Sequence, residues 1–311
     1  MDKIICIAGP TASGKTALAV ELAKVTNGEV VSCDSMQVYR RMNIGTAKPT
    51  LEEMQGIPHH MLDVCDPEDD FSVSRYCEMA TPIVDDILAR GKTAIIAGGT
   101  GLYMDALIKG NDFAPYPATG RRQELEAMAD EKGIEAVMEW LRSVDPDSAA
   151  RLHLSDRKRI IRAMEVYLET GETITAHNLR TQAIPPRYQP VWFGLEDENR
   201  QDLYDRIDRR VGIMLEMGLV DEIKALLASG IPKKCTAMQA IGYKEFIAAL
   251  DGRMTIEEAA EDLKKASRHY AKRQLTWFKR NKNIHWLTRT AETAPEEILR
   301  QARQLAVESD K

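Results

Sequence analysis

Eight residues near the start of the chain, Gly9-Pro10-Thr11-Ala12-Ser13-Gly14-Lys15-Thr16, constrain the fold more than any other stretch. They fit G-x-x-x-x-G-K-[ST], the P-loop that cradles phosphate groups with its backbone. The motif needs a strand before it and a helix after it. Lys3-Ile4-Ile5-Cys6-Ile7-Ala8 is an apolar run of the kind buried in a parallel sheet, and Ala17, Leu18, Leu22 and Val25 follow at helical spacing. Gly9 and Gly14 let the backbone bend around an anion, and the free N–H groups of the first helical turn point at it. Lys15 adds a cation, and the Thr16 hydroxyl can ligate Mg²⁺. A glycine-rich corner that binds nothing would leave Lys15 and Thr16 unexplained. The motif predicts a phosphate or diphosphate site without saying whether the group is transferred or expelled.

The surrounding pattern predicts an α/β fold. Strands are expected at Glu29-Val30-Val31-Ser32-Cys33-Asp34, at Met61-Leu62-Asp63-Val64 and at Thr93-Ala94-Ile95-Ile96-Ala97. A helix over 72–90 is expected to be interrupted near Pro82, and another to start at Leu102 after Gly98-Gly99-Thr100-Gly101. This alternation reads as a parallel sheet with helices on both faces. The character changes near Asn111. Residues 112–120 read as a loop. From Arg121 the apolar residues Leu125, Met128, Ala129, Ile134, Val137, Met138 and Leu141 keep helical spacing up to a break at Asp145-Pro146. A further helix is expected over 156–169, closed by Gly171, and a strand at Val191-Trp192-Phe193-Gly194-Leu195, with the remainder helical to the end. The expected organisation is a P-loop α/β core made of 1–111 and 191–311, a helical insertion at 112–190, and a helical C-terminal part.

Composition narrows the setting. The chain has 311 residues, 44% of them hydrophobic and 29% charged, as in an ordinary globular protein. No apolar run approaches the roughly 18 residues of a membrane span, and the first strand begins at once, so no signal peptide is expected. The five cysteines are scattered, with no C-x-x-C pair to suggest a disulfide framework or zinc site. A cytoplasmic protein, working as a monomer and away from membranes, is the expectation. Net charge is −6, so any pull toward nucleic acid must come from local patches.

Other candidate residues follow from position. Asp34 closes the second strand, on the edge where α/β proteins bind ligands. It can hold Mg²⁺, act as a general base, or merely cap the next turn. Thr100, in the second glycine turn, offers a hydroxyl to the same anion. On the helix from Asn199, Arg210 sits at the edge of the stripe Leu203, Ile207, Val211 and Met214, where it can clamp an oxyanion or form a surface ion pair. Arg157-Lys158-Arg159 with Arg162 open one helix. From Lys264 to Lys282 there are eight Lys or Arg and no acid. A helical wheel puts Lys264, Lys265, Arg268, Lys272, Lys279 and Lys282 in one arc, with Arg273 beside it; such one-signed charge in an acidic chain favours a polyanion over a merely solvated face. His59-His60 has no third ligand at metal spacing, and Asp69-Asp70 does not extend to D-D-x-x-D.

Several strings together resemble the bacterial tRNA dimethylallyltransferases: the P-loop, Asp34-Ser35-Met36-Gln37-Val38-Tyr39, Asn43-Ile44-Gly45-Thr46-Ala47-Lys48-Pro49, Gly98-Gly99-Thr100-Gly101-Leu102-Tyr103, Gln239-Ala240-Ile241-Gly242-Tyr243-Lys244 and Ala271-Lys272-Arg273-Gln274-Leu275-Thr276-Trp277-Phe278. The match runs from the first strand through Leu287. The P-loop is common to many nucleotide enzymes; the Asp34, Gly45 and Ala271 strings are more specific. The resemblance implies transfer of a dimethylallyl group from dimethylallyl diphosphate to N6 of the adenosine 3′ of the anticodon in tRNA. The loop Gly9, Pro10, Thr11, Ala12, Ser13, Gly14, Lys15 and Thr16 then holds a leaving diphosphate, together with Thr100, Arg210 and Mg²⁺, whose protein ligand is Thr16. Asp34 becomes the base. Contacts to tRNA are implied at Asp34, Ser35, Met36, Gln37 and Thr100. They are implied also at Arg122, Lys158, Arg159, Ile160, Ile161 and Arg162, and at Gln239, Ala240, Ile241, Gly242, Tyr243 and Lys244. Lys272 and Arg273 join them from the basic helix. The insertion would grip the anticodon stem-loop. A P-loop small-molecule kinase, a prenyltransferase acting on free adenine nucleotides and an RNA-binding GTPase-like switch are the alternatives; the last lacks an Asn-Lys-x-Asp signature.

Overall fold

The computed structural model describes residues 2–110, 119–290 and 292–308. Most of the expected loop at 112–120 therefore lies outside the described residues. The chain divides into two compact units, Met1–Gly110 with Arg187–Lys311, and Asn111–Pro186.

The first unit is an α/β layer structure. Its strands are β1 (Lys3–Ala8), β2 (Gly28–Ser32), β3 (His59–His60), β4 (Thr93–Ala97), β5 (Gln189–Asp197) and β6 (Ile284–Arg289), in the order β3-β2-β4-β1-β5-β6. All neighbouring pairs are parallel. The strands are apolar because both faces are covered. Along β1, Ile4, Cys6 and Ala8 enter one core while Ile5 and Ile7 enter the other, the period-two alternation of a strand.

Helices α1 (Lys15–Thr26), α2 (Leu51–Met54), α3 (Val73–Ala89) and α4 (Gly101–Lys109) belong to the first half of this unit. Leu18, Leu22 and Ala23 of α1 pack on the Ile5–Ile7 face, while Tyr76, Ala80, Val84 and Ile87 of α3 pack on the other. The helical unit holds α5 (Arg121–Lys132), α6 (Ile134–Val144), α7 (Pro146–Arg151), α8 (Arg157–Thr170) and α9 (Ile174–Gln182), around Leu125, Val137, Leu141, Ile160, Ile161 and Met164. Asp145 produces the break between α6 and α7. Its carboxylate accepts from the Ser148 N–H at 3.1 Å as the α7 cap, with Pro146 in the first turn. The first unit then resumes with α10 (Arg200–Glu216), α11 (Leu219–Ala228), α12 (Tyr243–Leu250), α13 (Ile256–Phe278) and α14 (Pro295–Glu308).

Four local expectations are corrected. First, α3 runs through Pro82 without a break. Pro82 and Glu78, whose carbonyl loses its helical partner, both face solvent, where that carbonyl is open to water, and the buried stripe holds both halves of the helix. Second, the third strand is His59–His60 and not 61–64, because Met61 (φ 62°) and Asp63 (φ 55°) are left-handed and leave the sheet. Third, the C-terminal part is not helical throughout: β6 pairs with β5 from Trp192↔Ile284 to Asp197↔Arg289. Its buried apolar residues Ile284 and Leu287 are three apart, a helix-like spacing that hides the strand. The second strand also ends earlier than expected, at Ser32, leaving Asp34 in the turn beyond it.

Candidate active site

The sheet order reverses around β1, which lies between β4 and β5. The crevice outside the carboxyl ends of such strands is the usual ligand site, and the loop 9–14 occupies it. Ala12 (φ 61°) and Gly14 (φ 90°) adopt left-handed backbone there. A Cβ on Gly9 would sit 2.9 Å from Ser13 Oγ and 3.0 Å from the Leu195 carbonyl, so only glycine fits. No side chain caps α1, which leaves its leading N–H groups open to an anion. Ser13 Oγ is buried and makes no hydrogen bond among the described residues. Lys15 Nζ donates to the Pro10 carbonyl at 2.7 Å. Burial first, and then the Arg210 cation, push the Lys15 ammonium down to about 8 against the opposing pull of Asp34.

Asp34 lies across the cleft. Its Oδ1 accepts from the N–H groups of Met36 (2.8 Å) and Gln37 (3.2 Å). Oδ2 makes no hydrogen bond among the described residues, so one oxygen is anchored and the other is open. Thr100 Oγ1 accepts from the Ser35 N–H at 3.1 Å and donates to Ser35 Oγ at 3.4 Å. The glycines beside it permit close approach: a Cβ on Gly98 would run into the Cys33 carbonyl, and one on Gly99 into the Gln274 side chain.

Helices α10 and α13 complete the enclosure. Arg210 Nη1 reaches 3.5 Å from Thr11 Oγ1. Burial pushes its guanidinium down, while Asp34 and Glu53 oppose that shift. Gln274 joins the two glycine turns, accepting from the Thr11 N–H at 2.8 Å and donating to the Gly99 carbonyl at 3.0 Å. Burial, with Asp34 nearby, pushes the Tyr270 phenol up to about 12, and hydrogen bonds with Thr100 and Gln274 work against it. Arg273 stacks on Tyr270 with its guanidinium carbon 5.4 Å from the ring centre. These groups line a cleft of about 700 Å³ whose apolar wall includes Ile207, Val211, Met214, Ile241 and Leu263. Lys15, Thr16, Asp34, Ser35, Met36, Gln37, Gln239, Ala240 and Arg273 also line it; Gly9, Pro10, Thr100 and Lys272 are not among its lining residues.

The turn 43–47 forms part of the same wall and is held by one carboxylate. Glu222 of α11 accepts from the N–H groups of Asn43 (2.8 Å), Ile44 (2.8 Å) and Gly45 (3.2 Å), and from the Tyr243 hydroxyl (2.6 Å). Gly45 is required because a Cβ there would meet the Tyr243 ring. Gln37 is committed at both ends of its amide: Nε2 donates to the Thr46 and Ala47 carbonyls, and Oε1 accepts from Ser32 Oγ at 3.1 Å.

Several residues expected to touch tRNA are placed where their side chains cannot. Ile160 and Ile161 are buried in the core of the helical unit, because the α8 stripe that packs that unit passes through them. Tyr243 is buried too, Ala240 shows only a small face to the cleft, and Gln239 and Lys244 are exposed. In the helical unit Lys158 and Arg159 are exposed; Arg159 lies 3.9 Å from Asp156, Arg162 pairs with Glu165 at 2.8 Å, and Arg122 reaches Glu126 at 3.5 Å. The basic arc also needs correction. The helix ends at Phe278, before Lys282. Acids from outside the 264–282 stretch enter the arc: Lys264 pairs with Glu261, Arg268 with Asp208 and Lys279 with Glu196. Lys265 and Lys272 form no ion pair among the described residues.

Nothing in the sequence marks Arg206, Gln274, Arg289, Glu222 and Tyr270 as site residues. Each acts mainly on backbone or side-chain atoms far away along the chain, which no short spacing encodes.

The IPP transferase family model matches residues 37–281. A tRNA dimethylallyltransferase of Acetivibrio thermocellus is 44% identical over 301 residues, covering 96% of each chain. One from Halalkalibacterium halodurans is 48% identical over 290 residues, covering 93% of this chain and 92% of its own. Among solved structures, the full-length tRNA isopentenylpyrophosphate transferase of Bacillus halodurans superposes with a TM-score of 0.75 at 44% identity, over 100% of this chain and 97% of its own. A eukaryotic dimethylallyltransferase acting on tRNA gives 0.83 at 30% identity, covering 100% of this chain and 79% of its own.

Proposed function

This chain belongs to the IPP transferase family, and from that premise we propose that it transfers the dimethylallyl group of dimethylallyl diphosphate to N6 of the adenosine 3′ of the anticodon in tRNA, releasing diphosphate. The observation that carries this reading is the meeting of opposite charges in one cleft. Lys15, Arg210, Asp34 and Ser13, whose hydroxyl has no partner among the described residues, line one cleft. Breaking the allylic C–O bond leaves its electron pair on the diphosphate. The loop N–H groups, Lys15 and Arg210 stabilise that growing charge. The N6 lone pair forms the new C–N bond, and N6 then gives its proton to Asp34 Oδ2. The hydrogen bonds to Oδ1 keep the carboxylate aimed while this happens. The apolar wall suits a five-carbon chain and excludes water from it.

The residues present fit Mg²⁺. Thr16 stands at the start of α1 and lines the cleft, and the buried Ser13 Oγ has no partner among the described residues. This is the donor set expected of a cation that keeps few protein ligands and binds mainly through phosphates. When bound, it neutralises diphosphate charge. Exposed Lys158, Arg159 and Lys272 supply phosphate contacts to the anticodon stem-loop. No helix among the described residues is long and apolar enough to cross a membrane, and cytoplasmic work on tRNA as a monomer is part of the proposal.

The test is transfer of label. Unmodified tRNA should gain radiolabel from dimethylallyl diphosphate and none from ATP. Phosphorylation of a small molecule by ATP, with no prenylation of tRNA, would replace this reading with the kinase one.

A further inference from the structure

Two arginines grip the phosphate loop from behind. Arg206 of α10 donates from Nε to the Ala12 carbonyl at 3.1 Å. Arg289, the last residue of β6, donates from Nη2 to the Ser13 carbonyl at 2.8 Å. The strand register places Arg289 beside Asp197, and Asp197 forms an ion pair with Arg206. The Asp197 carboxylate is itself buried, and its Oδ1 has no partner among the described residues. Burial and the neighbouring Arg206 push the Arg289 guanidinium down, with Asp197 opposing. Arg289 itself forms no ion pair among the described residues. One acid thus stands beside two cations and pairs with Arg206 alone, so positive charge remains under the loop.

The geometry has a direct consequence for anion binding. In a trans peptide the C=O and the following N–H point in opposite directions. Holding the Ala12 and Ser13 carbonyls outward therefore turns the N–H groups of Ser13 and Gly14 inward. Neither N–H donates to a protein group among the described residues. Ala12 is left-handed without being glycine, so its conformation has to be imposed by its surroundings.

We propose that Arg206 and Arg289 are positioning residues for the diphosphate: by holding two successive loop carbonyls they aim two amide donors, and their charge adds to the attraction. The proposal rests on the reading that this loop holds a diphosphate. The test is binding of inorganic diphosphate by calorimetry, at a temperature where circular dichroism shows every variant folded. R289Q should weaken binding about tenfold, the scale of a hydrogen bond to a charged group. R289K, which keeps charge and one donor, should weaken it less. R206K, which keeps the pairing with Asp197 but loses the planar fork, should also weaken it. In steady-state assays both sites should raise KM for dimethylallyl diphosphate and leave KM for tRNA unchanged. Wild-type diphosphate affinity in R289Q and R206K, or a rise confined to the tRNA KM, would overturn the proposal. If the wild-type protein binds no diphosphate, the loop reading fails and the arginine assignment falls with it.

Discussion

The two units hold their charges differently. In the α/β unit the cations that face the loop are drawn inward and have few acids near them: Lys15 and Arg210 feel Asp34 across a cleft, and Arg289 feels the Asp197 carboxylate that is paired with Arg206. In the helical unit the cations stand on the surface, beside acids one turn away or on the neighbouring helix, as Arg162 does with Glu165 and Arg157 with Asp130. Exposed pairs of this kind contribute little to stability and exchange partners at little cost. Charges held in a cleft are preorganised and lose no reorganisation energy when an anion arrives. The first arrangement suits chemistry on a diphosphate, and the second suits a ribose–phosphate surface.

The largest expected effect tests the chemical side of this contrast. Asp34→Asn keeps the shape of the side chain and removes the base. Single-turnover prenyl transfer should slow by about a hundredfold or more, the usual scale for a lost general base, while diphosphate still binds. An unchanged rate would remove Asp34 from the mechanism. Arg210→Ala comes next. Losing a contact to developing charge costs on the order of 3 kcal/mol in the transition state, so kcat should fall with the affinity for tRNA unaltered. A variant that lost only tRNA affinity would move Arg210 to the RNA-facing side of the comparison.

A smaller effect should appear with pH. The Lys15 ammonium titrates near 8 in the folded protein against an ordinary 10.5. Cationic Lys15 is the form that attracts diphosphate, so kcat/KM for the allylic donor should fall as pH rises through about 8, by at most about tenfold per unit. The stability term has its own sign. Between the two values the unfolded chain binds more protons than the folded one, so this group's contribution to stability rises with pH across that window. A pH profile of donor kcat/KM with no decline above 8 that Lys15 replacement removes would contradict the assignment.

What was legible in the sequence was local. The loop 9–16, the glycine turn 98–101 and Asp34 could be read because each is a short string whose neighbours report its strand or helix. Arg210 could be read as a candidate because helical periodicity places it beside an apolar stripe. Arg289 could not: it ends a strand whose buried residues keep helical spacing, and its partner is a carbonyl 276 positions away in the chain. Gln274 and Glu222 are similar, each satisfying loop N–H groups far from it in sequence. A helical wheel overstates the basic arc because it shows only one helix, while Asp208 and Glu196, which neutralise part of it, come from other elements. Pro82 shows the opposite: α3 continues through it, held on both sides by the buried residues Tyr76, Ala80, Val84 and Ile87.

The division of labour between the units is tested most directly by one double variant measured two ways. Lys158→Ala with Arg159→Ala removes two exposed cations of α8, neither of which is among the residues lining the cleft. The slope of log K for tRNA against log salt should flatten by about one to two units, because each lost phosphate contact spares a released counterion. The affinity of the same protein for inorganic diphosphate should be that of the wild type. An unchanged salt slope, or a loss of diphosphate binding, would contradict the account.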